Sequence, residues 1–161
     1  MIEYKQRVRI IGPPGSYTTA LAKAIGKQSN LPIVNLHELE HAASPYSQLQ
    51  KSLSREKWIV TGSFAQEWAA STVDDATMIL FVNTARFTCF IRLYLRLLGS
   101  FFSKAEHKQF HRDMKTLLHY KKEFEKWTKK HRGARTKLKT FETVDQAYEF
   151  FVKQTAPDLF L

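Results

Sequence analysis

Eight residues, Gly12-Pro13-Pro14-Gly15-Ser16-Tyr17-Thr18-Thr19, stand between a short apolar run and an amphipathic one. A passage from strand through a glycine-rich turn into a helix aims backbone amides and a helix N-terminus at one point, where an anion is held. The pattern for a phosphate-binding loop of this kind is G-x-x-x-x-G-K-[ST]. Gly12 opens it, and residues 13 to 16 fill the four free positions. Tyr17 then replaces the second glycine, Thr18 replaces the lysine, and Thr19 keeps the hydroxyl position, where it could ligand Mg²⁺. The lysine's charge on the β- and γ-phosphates is therefore missing. A tyrosine at the glycine position is strained if φ is positive there. The plainer reading is a proline-stiffened turn that binds nothing.

Other residues with chemical potential lie further on. His37 to His41 reads HELEH, which holds two histidines and two glutamates but does not match H-E-x-x-H. A polar loop after a strand explains it better than a metal site. Arg86, Arg92 and Arg96 are candidate phosphate contacts, and Arg92 and Arg96 share a helix face at i, i+4. Snorkelling surface arginines are the alternative. The single cysteine, Cys89, lies in an apolar run and reads as a buried small hydrophobe rather than a nucleophile. From Lys104 to Lys139 there are thirteen Lys/Arg against four Asp/Glu, so most of the chain's net charge of +10 lies in one segment. That stripe fits an anionic partner such as nucleic acid, or simply a solvated helix face.

Positioning these residues needs strands and helices in alternation. Val8–Ile11, Ile33–Leu36, Trp58–Thr61, Met78–Val82 and Leu138–Phe141 read as five short strands. Thr19–Gln28, a short piece within Pro45–Arg55, a turn from Ser63, Phe87–Leu98, most of Phe101–Lys130 with a break around Gly99–Ser103, and Val144–Gln154 read as helices. Phe110, Met114, Leu117, Leu118, Phe124 and Trp127 form a helical-period stripe expected in the core, and Thr143 and Asp145 supply N-cap chemistry for the last helix. The alternation argues for one domain, residues 1–161, with a five-stranded parallel sheet and helices on both faces. Ligands of such sheets bind beyond the carboxyl ends of the strands. Those ends bring together the loop after Ile11, His37, Thr61 to Phe64, and Asn83 to Arg86.

Composition sets outer bounds. Of 161 residues, 43% are apolar and 25% charged, which suits a globular protein with a real core. No apolar run is long enough to span a membrane, the first residues lack a signal core, and one cysteine cannot form an intrachain disulfide. The expectation is a cytoplasmic protein with no membrane partner.

The stretches IIGPPGSYTTALAKAIGK, LPIVNLHELEH, WIVTGSF and ILFVNTARFTCFIRLYLR together resemble the small adenylate-kinase-related P-loop proteins known as DNA topology modulation proteins (FlaR type). The resemblance covers nearly the whole chain. It implies an α/β, three-layer, nucleotide-kinase-like P-loop NTPase fold, ATP and Mg²⁺ as cofactors, and a mobile basic lid, here around residues 99–109. It matches the four stretches to a Walker A loop, a strand ending in an acid, a W-[IV]-[IV]-[DE]-G-N-[YF] stretch, and a Walker-B-like strand leading to an arginine helix. The departures fall at the chemical positions: Thr18 for lysine, and His37, Thr61 and Asn83 for the three acids. Mg²⁺ needs hard oxygen ligands, and phosphoryl transfer needs its acceptor oriented. The reading is thus a kinase-fold protein that has lost transfer. It would bind nucleotide or phosphate weakly or not at all, through Gly12, Gly15, Ser16, Tyr17, Thr18, Thr19, Arg86, Arg92 and Arg96, in a binding or regulatory role. Two rivals stand beside it. One is an active atypical nucleoside or nucleotide kinase in which arginines replace the lysine and Glu38 or Glu40 replaces the lost acid. The other is non-specific nucleic-acid binding by residues 104–139.

Overall fold

Alternation of side chains along three central strands decides the architecture. The computed structural model describes residues 6–64, 67–100 and 103–155. Within these, β1 (Arg7–Ile11), β2 (Ile33–Asn35), β3 (Trp58–Thr61), β4 (Met78–Val82) and β5 (Leu138–Phe141) form one sheet in the order β2-β3-β1-β4-β5. All neighbouring pairs are parallel, and the register sets Ile10 beside both Thr61 and Leu80. Val8, Ile10, Ile59, Leu80 and Val82 point to one face, where α1 (Thr18–Ser29) and α7 (Val144–Thr155) cover them. Ile11, Trp58, Val60, Ile79 and Phe81 point to the other. There α2 (Leu36–Glu40), α3 (Pro45–Leu53), α4 (Ser71–Asp75) and α6 (Lys104–Lys130) pack. Helix α5 (Arg86–Gly99) lies against α6 through Cys89, Leu93 and Leu117. The expected α/β sheet with helices on both faces is therefore present.

Local chemistry sets most of the boundaries. Asn30, in the left-handed region at φ 52°, ends α1 with its amide on the Gly26 carbonyl. Ser103 Oγ accepts from the Glu106 amide and starts α6. Thr143 Oγ1 accepts from the Gln146 amide and starts α7. The HELEH stretch is a short helix rather than a loop, because Asn35 Oδ1 accepts from the His37 amide and caps it. Leu118, expected in the core stripe, is 56% exposed; the rest of that stripe is buried or half-buried. Of the segment 99–109, Gly99 ends α5, Lys104–Gln109 begin α6, and residues 101–102 lie outside the described residues. Among the described residues no helix is long and apolar enough to cross a membrane.

One core position breaks the apolar rule. Arg9, in the middle of the central strand, is 1% exposed. Its Nε donates to Thr72 Oγ1 (3.1 Å), Nη1 to the carbonyls of Ile10 (2.8 Å), Gly62 (3.3 Å) and Val60 (3.4 Å), and Nη2 to the Ser63 carbonyl (2.8 Å). All of these acceptors are neutral. The guanidinium thus ties β1 to α4 and to the turn leaving β3. Burial pushes its pKa down to about 10, still far above neutral pH. A base whose folded pKa is lowered regains stability only as pH rises through that value, so Arg9 stays charged and its contribution is flat between pH ~5 and ~9. Arg9→Met is expected to destabilise by roughly 2–3 kcal/mol, since hydrogen bonds from a charged donor are lost and buried carbonyls are left open. Urea unfolding at pH ~6 and pH ~8 should return the same difference.

Candidate functional site

The chain leaves β1 toward β2 on one side and β4 toward β5 on the other, so a crevice opens beyond their carboxyl ends. The loop after β1 and the start of α5 meet there. Gly15 has φ +83°, and a Cβ placed on it would lie 2.8 Å from the Cys89 carbonyl oxygen and 3.1 Å from the Cys89 Cα. The loop therefore rests directly on the α5 backbone. Gly12 is as confined: a Cβ there would collide with Ser16 Oγ and the Thr18 methyl. Ser16 is buried and turned into the loop, its amide (3.1 Å) and Oγ (2.6 Å) both donating to the Pro13 carbonyl.

Tyr17 takes up the left-handed conformation that a glycine would occupy, at φ 62° and ψ 31°. That costs ~1–2 kcal/mol for a residue with a Cβ. Its ring does not fill the loop. It turns outward, 52% exposed, beneath the Arg92 guanidinium at 4.1 Å from the ring centroid. Such a half-exposed cation–π contact returns ~0.5–1 kcal/mol. Arg92 Nη1 also donates to the Gly15 carbonyl at 3.0 Å. Arg92 is therefore a clamp on the loop. Tyr17 offers no side-chain cap to α1, so the first amides of that helix face the cleft without one.

The cleft has a volume of about 1020 Å³, and residues Gly12 through Ala20 line it together with Asn35, His37, Thr61, Arg92 and Arg96. Arg86 lies apart, beside Asn83 in an adjoining cleft of about 820 Å³ that Arg92 also lines. Arg96 is engaged by α6, at 2.6 Å from Asp113 Oδ2 and 3.7 Å from Glu106 Oε2. Those two are the carboxylates that line the main cleft among the described residues. Neither Glu38 nor Glu40 lines it. Within the main cleft Thr19 thus has no unengaged carboxylate with which to share a cation, and that donor set does not fit Mg²⁺; Glu142 and Asp145 line the adjoining cleft. The rings of His37 and His41 stand edge-on at 5.5 Å, and no group of three His, Cys, Asp or Glu suited to a metal occurs among the described residues.

A polar stripe on α6 escaped the sequence reading. Glu106, Gln109, Asp113, Thr116 and Tyr120 follow one another at spacings of three and four and all line the cleft. That period was the available signal, next to the apolar stripe. Tyr120 and Trp127, rings interleaved with the basic residues, are each 8% exposed and belong to the core, so they offer no stacking platform for nucleic-acid bases. Two hydroxyls in the cleft stand out: Thr61 Oγ1 and Tyr120 Oη are buried without a hydrogen-bond partner. Burial pushes the Tyr120 phenol up, so it stays a neutral O–H. Cys89 is fully buried, and burial raises its thiol pKa, against the smaller opposing effect of Arg92. Its thiolate is not populated at neutral pH.

No family model and no curated protein matches the chain. Among solved structures, the YorR protein of Bacillus subtilis, in complex with phosphorylated GDP, matches with TM-score 0.55 at 10% identity, over 96% of this chain and 98% of that one. Shikimate kinase from Bacteroides thetaiotaomicron matches with TM-score 0.52 at 13% identity, over 92% and 97%. An uncharacterized protein from Eubacterium ventriosum ATCC 27560 matches with TM-score 0.51 at 19% identity, over 92% and 98%. The fold is that of a P-loop kinase. At these identities the likeness is one of fold alone. Thr18 begins α1 just after the loop, and His37, Thr61 and Asn83 lie at or just beyond the carboxyl ends of β2, β3 and β4.

The loop geometry makes opposite predictions for two neighbouring residues. Gly15→Ala forces a Cβ against backbone at positive φ and should cost at least about 2 kcal/mol in urea unfolding. Tyr17→Gly removes strain and a cation–π contact together and should change stability by less than about 1 kcal/mol. The Cys89 thiol should resist a thiol-specific reagent in the native protein and react once the chain is unfolded.

Proposed function

We propose that this protein is a phosphate- or nucleotide-binding member of the P-loop kinase fold that does not transfer phosphate. The carrying observation is a loop with Gly15 and Tyr17 at positive φ before an uncapped helix N-terminus; the sequence resemblance adds that Thr18, Thr61 and Asn83 stand at its lysine and acid positions. Backbone amides remain to hold an anion weakly, and Arg92 adds positive charge beside them. The residues proposed to contact it are Gly12, Gly15, Ser16, Tyr17, Thr18 and Thr19, with Arg86, Arg92 and Arg96 at the margins. Thr61 and Tyr120 extend the site, because a buried hydroxyl without a partner costs about 1–3 kcal/mol and a ligand oxygen would satisfy it. Of the cover expected around residues 99–109, the described part at the start of α6 borders the site through Glu106 and Gln109. A binding role related to DNA topology modulation rests on the sequence resemblance alone.

Thermal unfolding with ATP and with tripolyphosphate, each with and without Mg²⁺, tests this. Binding to the native state raises the midpoint by mass action. The expected result is a small rise at millimolar ligand, the same without Mg²⁺, and no phosphate transfer to a panel of acceptors. Tyr17→Gly with Thr18→Lys should tighten binding at least about tenfold, by restoring one charge contact worth ~1.4 kcal/mol or more. Tyr120→Phe should leave the free protein as stable or more so and weaken the ligand-induced rise. Mg²⁺-dependent turnover, or no rise at millimolar ligand, sinks the proposal.

A further inference from the structure

Helix α5 is inverted relative to an ordinary surface helix. Such a helix turns its apolar stripe to the core and its charges to water. Here Arg92 turns inward onto the Gly15 carbonyl, and Arg96, half exposed, reaches across to Asp113 on α6. The buried apolar contacts of α5 reduce to Cys89 and Leu93. Its widest apolar face looks out. Phe87, Phe90, Ile91, Tyr94, Leu95 and Leu98 are all exposed, by 38% to 72%. Four of them, Phe87, Ile91, Tyr94 and Leu98, recur at spacings of four, three and four, the period of a helix-packing seam. The seam carries no charge over its full length, and the Phe90 ring beside it is stacked on Tyr94 at 6.1 Å and 13°.

We propose that this face of α5 is the contact between two copies of the chain, packed antiparallel about a two-fold axis between Ile91 and Tyr94. A two-fold contact is self-complementary, so an uncharged seam meets its own copy without any opposite charge. The antiparallel sense also keeps the two Arg86 residues, at the α5 N-termini, apart. The six side chains expose on the order of 500 Å² per copy, most of the roughly 800 Å² per partner that a stable interface buries. A lipid surface fits less well. It would be met by cations flanking the stripe, whereas Arg92 and Arg96 are engaged on the opposite side. Two copies each carrying +10 repel one another, so added salt should strengthen the association. Salt would weaken a contact with an acidic partner or anionic lipid.

Sedimentation velocity of the full chain from sub-micromolar to tens of micromolar tests the proposal independently of any ligand. The expected mass at the upper end is twice the 18.7 kDa of one chain, rising with salt and halving in Ile91→Glu and in Tyr94→Glu, with unchanged circular dichroism. A short bismaleimide should join Ile91→Cys to its copy but not Phe87→Cys, whose copies lie about 16 Å apart along the seam. Cys89, being buried, does not compete. A chain of single mass throughout overturns the proposal. So does a dimer that both glutamate variants leave intact. A monomer that floats with vesicles rich in phosphatidylglycerol, and loses this in Ile91→Glu, overturns it in favour of a lipid surface.

Discussion

Gly15 lies so close to the backbone of Cys89 that no side chain fits between them. That contact joins the loop after β1 to the helix after β4, and the rest of the site follows from it. It requires β1 and β4 to be neighbours, which the sheet order provides. It sets Arg92 one turn further along α5, where it reaches the Gly15 carbonyl and covers Tyr17. It leaves the N-terminus of α1 open to the cleft. Arg9 secures the neighbouring wall from below, since its guanidinium gathers the carbonyls of Gly62 and Ser63 where the chain leaves β3.

The fold and the chemistry rest on different residues. The sheet is held by apolar side chains that alternate between two clusters, each burial worth about 1.5–3 kcal/mol, and none of them is a ligand. The positions at the strand ends contribute little to that core. Thr61, Asn83 and His37 stand there without a carboxylate, and the strands keep their parallel register. The P-loop kinase fold is here compatible with a main cleft whose two carboxylates are both held by Arg96. That cleft presents backbone amides, hydroxyls and arginine beside two carboxylates, Glu106 and Asp113.

Helix α5 serves the molecule on both sides. Its inner face gives the loop its support and its clamp, and its outer face presents an uncharged seam. Its composition divides accordingly: Arg92 and a small buried thiol on the inner face, large apolar side chains outward. A helix required only to cover a core would be arranged the other way round.

Strand positions were legible in the sequence because each is a short apolar run bounded by turn residues; β3, β4 and β5 match that reading to the residue. Helix ends were legible where a cap residue stood, as at Thr143. That Thr18, His37, Thr61 and Asn83 are neither lysine nor carboxylate is a property of sequence alone, and no tertiary structure alters it. Other features needed the fold. Whether Tyr17 would fill the loop or leave it depended on Arg92, seventy-five residues away in the chain and brought over its ring only by the pairing of β1 with β4. Arg9 sits within an apolar pattern, and nothing local tells that its acceptors would be Thr72 and the carbonyls after β3. The apolar residues of α5 have the same helical period whichever way they face. Periodicity fixes which residues share a face, and only packing decides whether that face meets the core or the solvent.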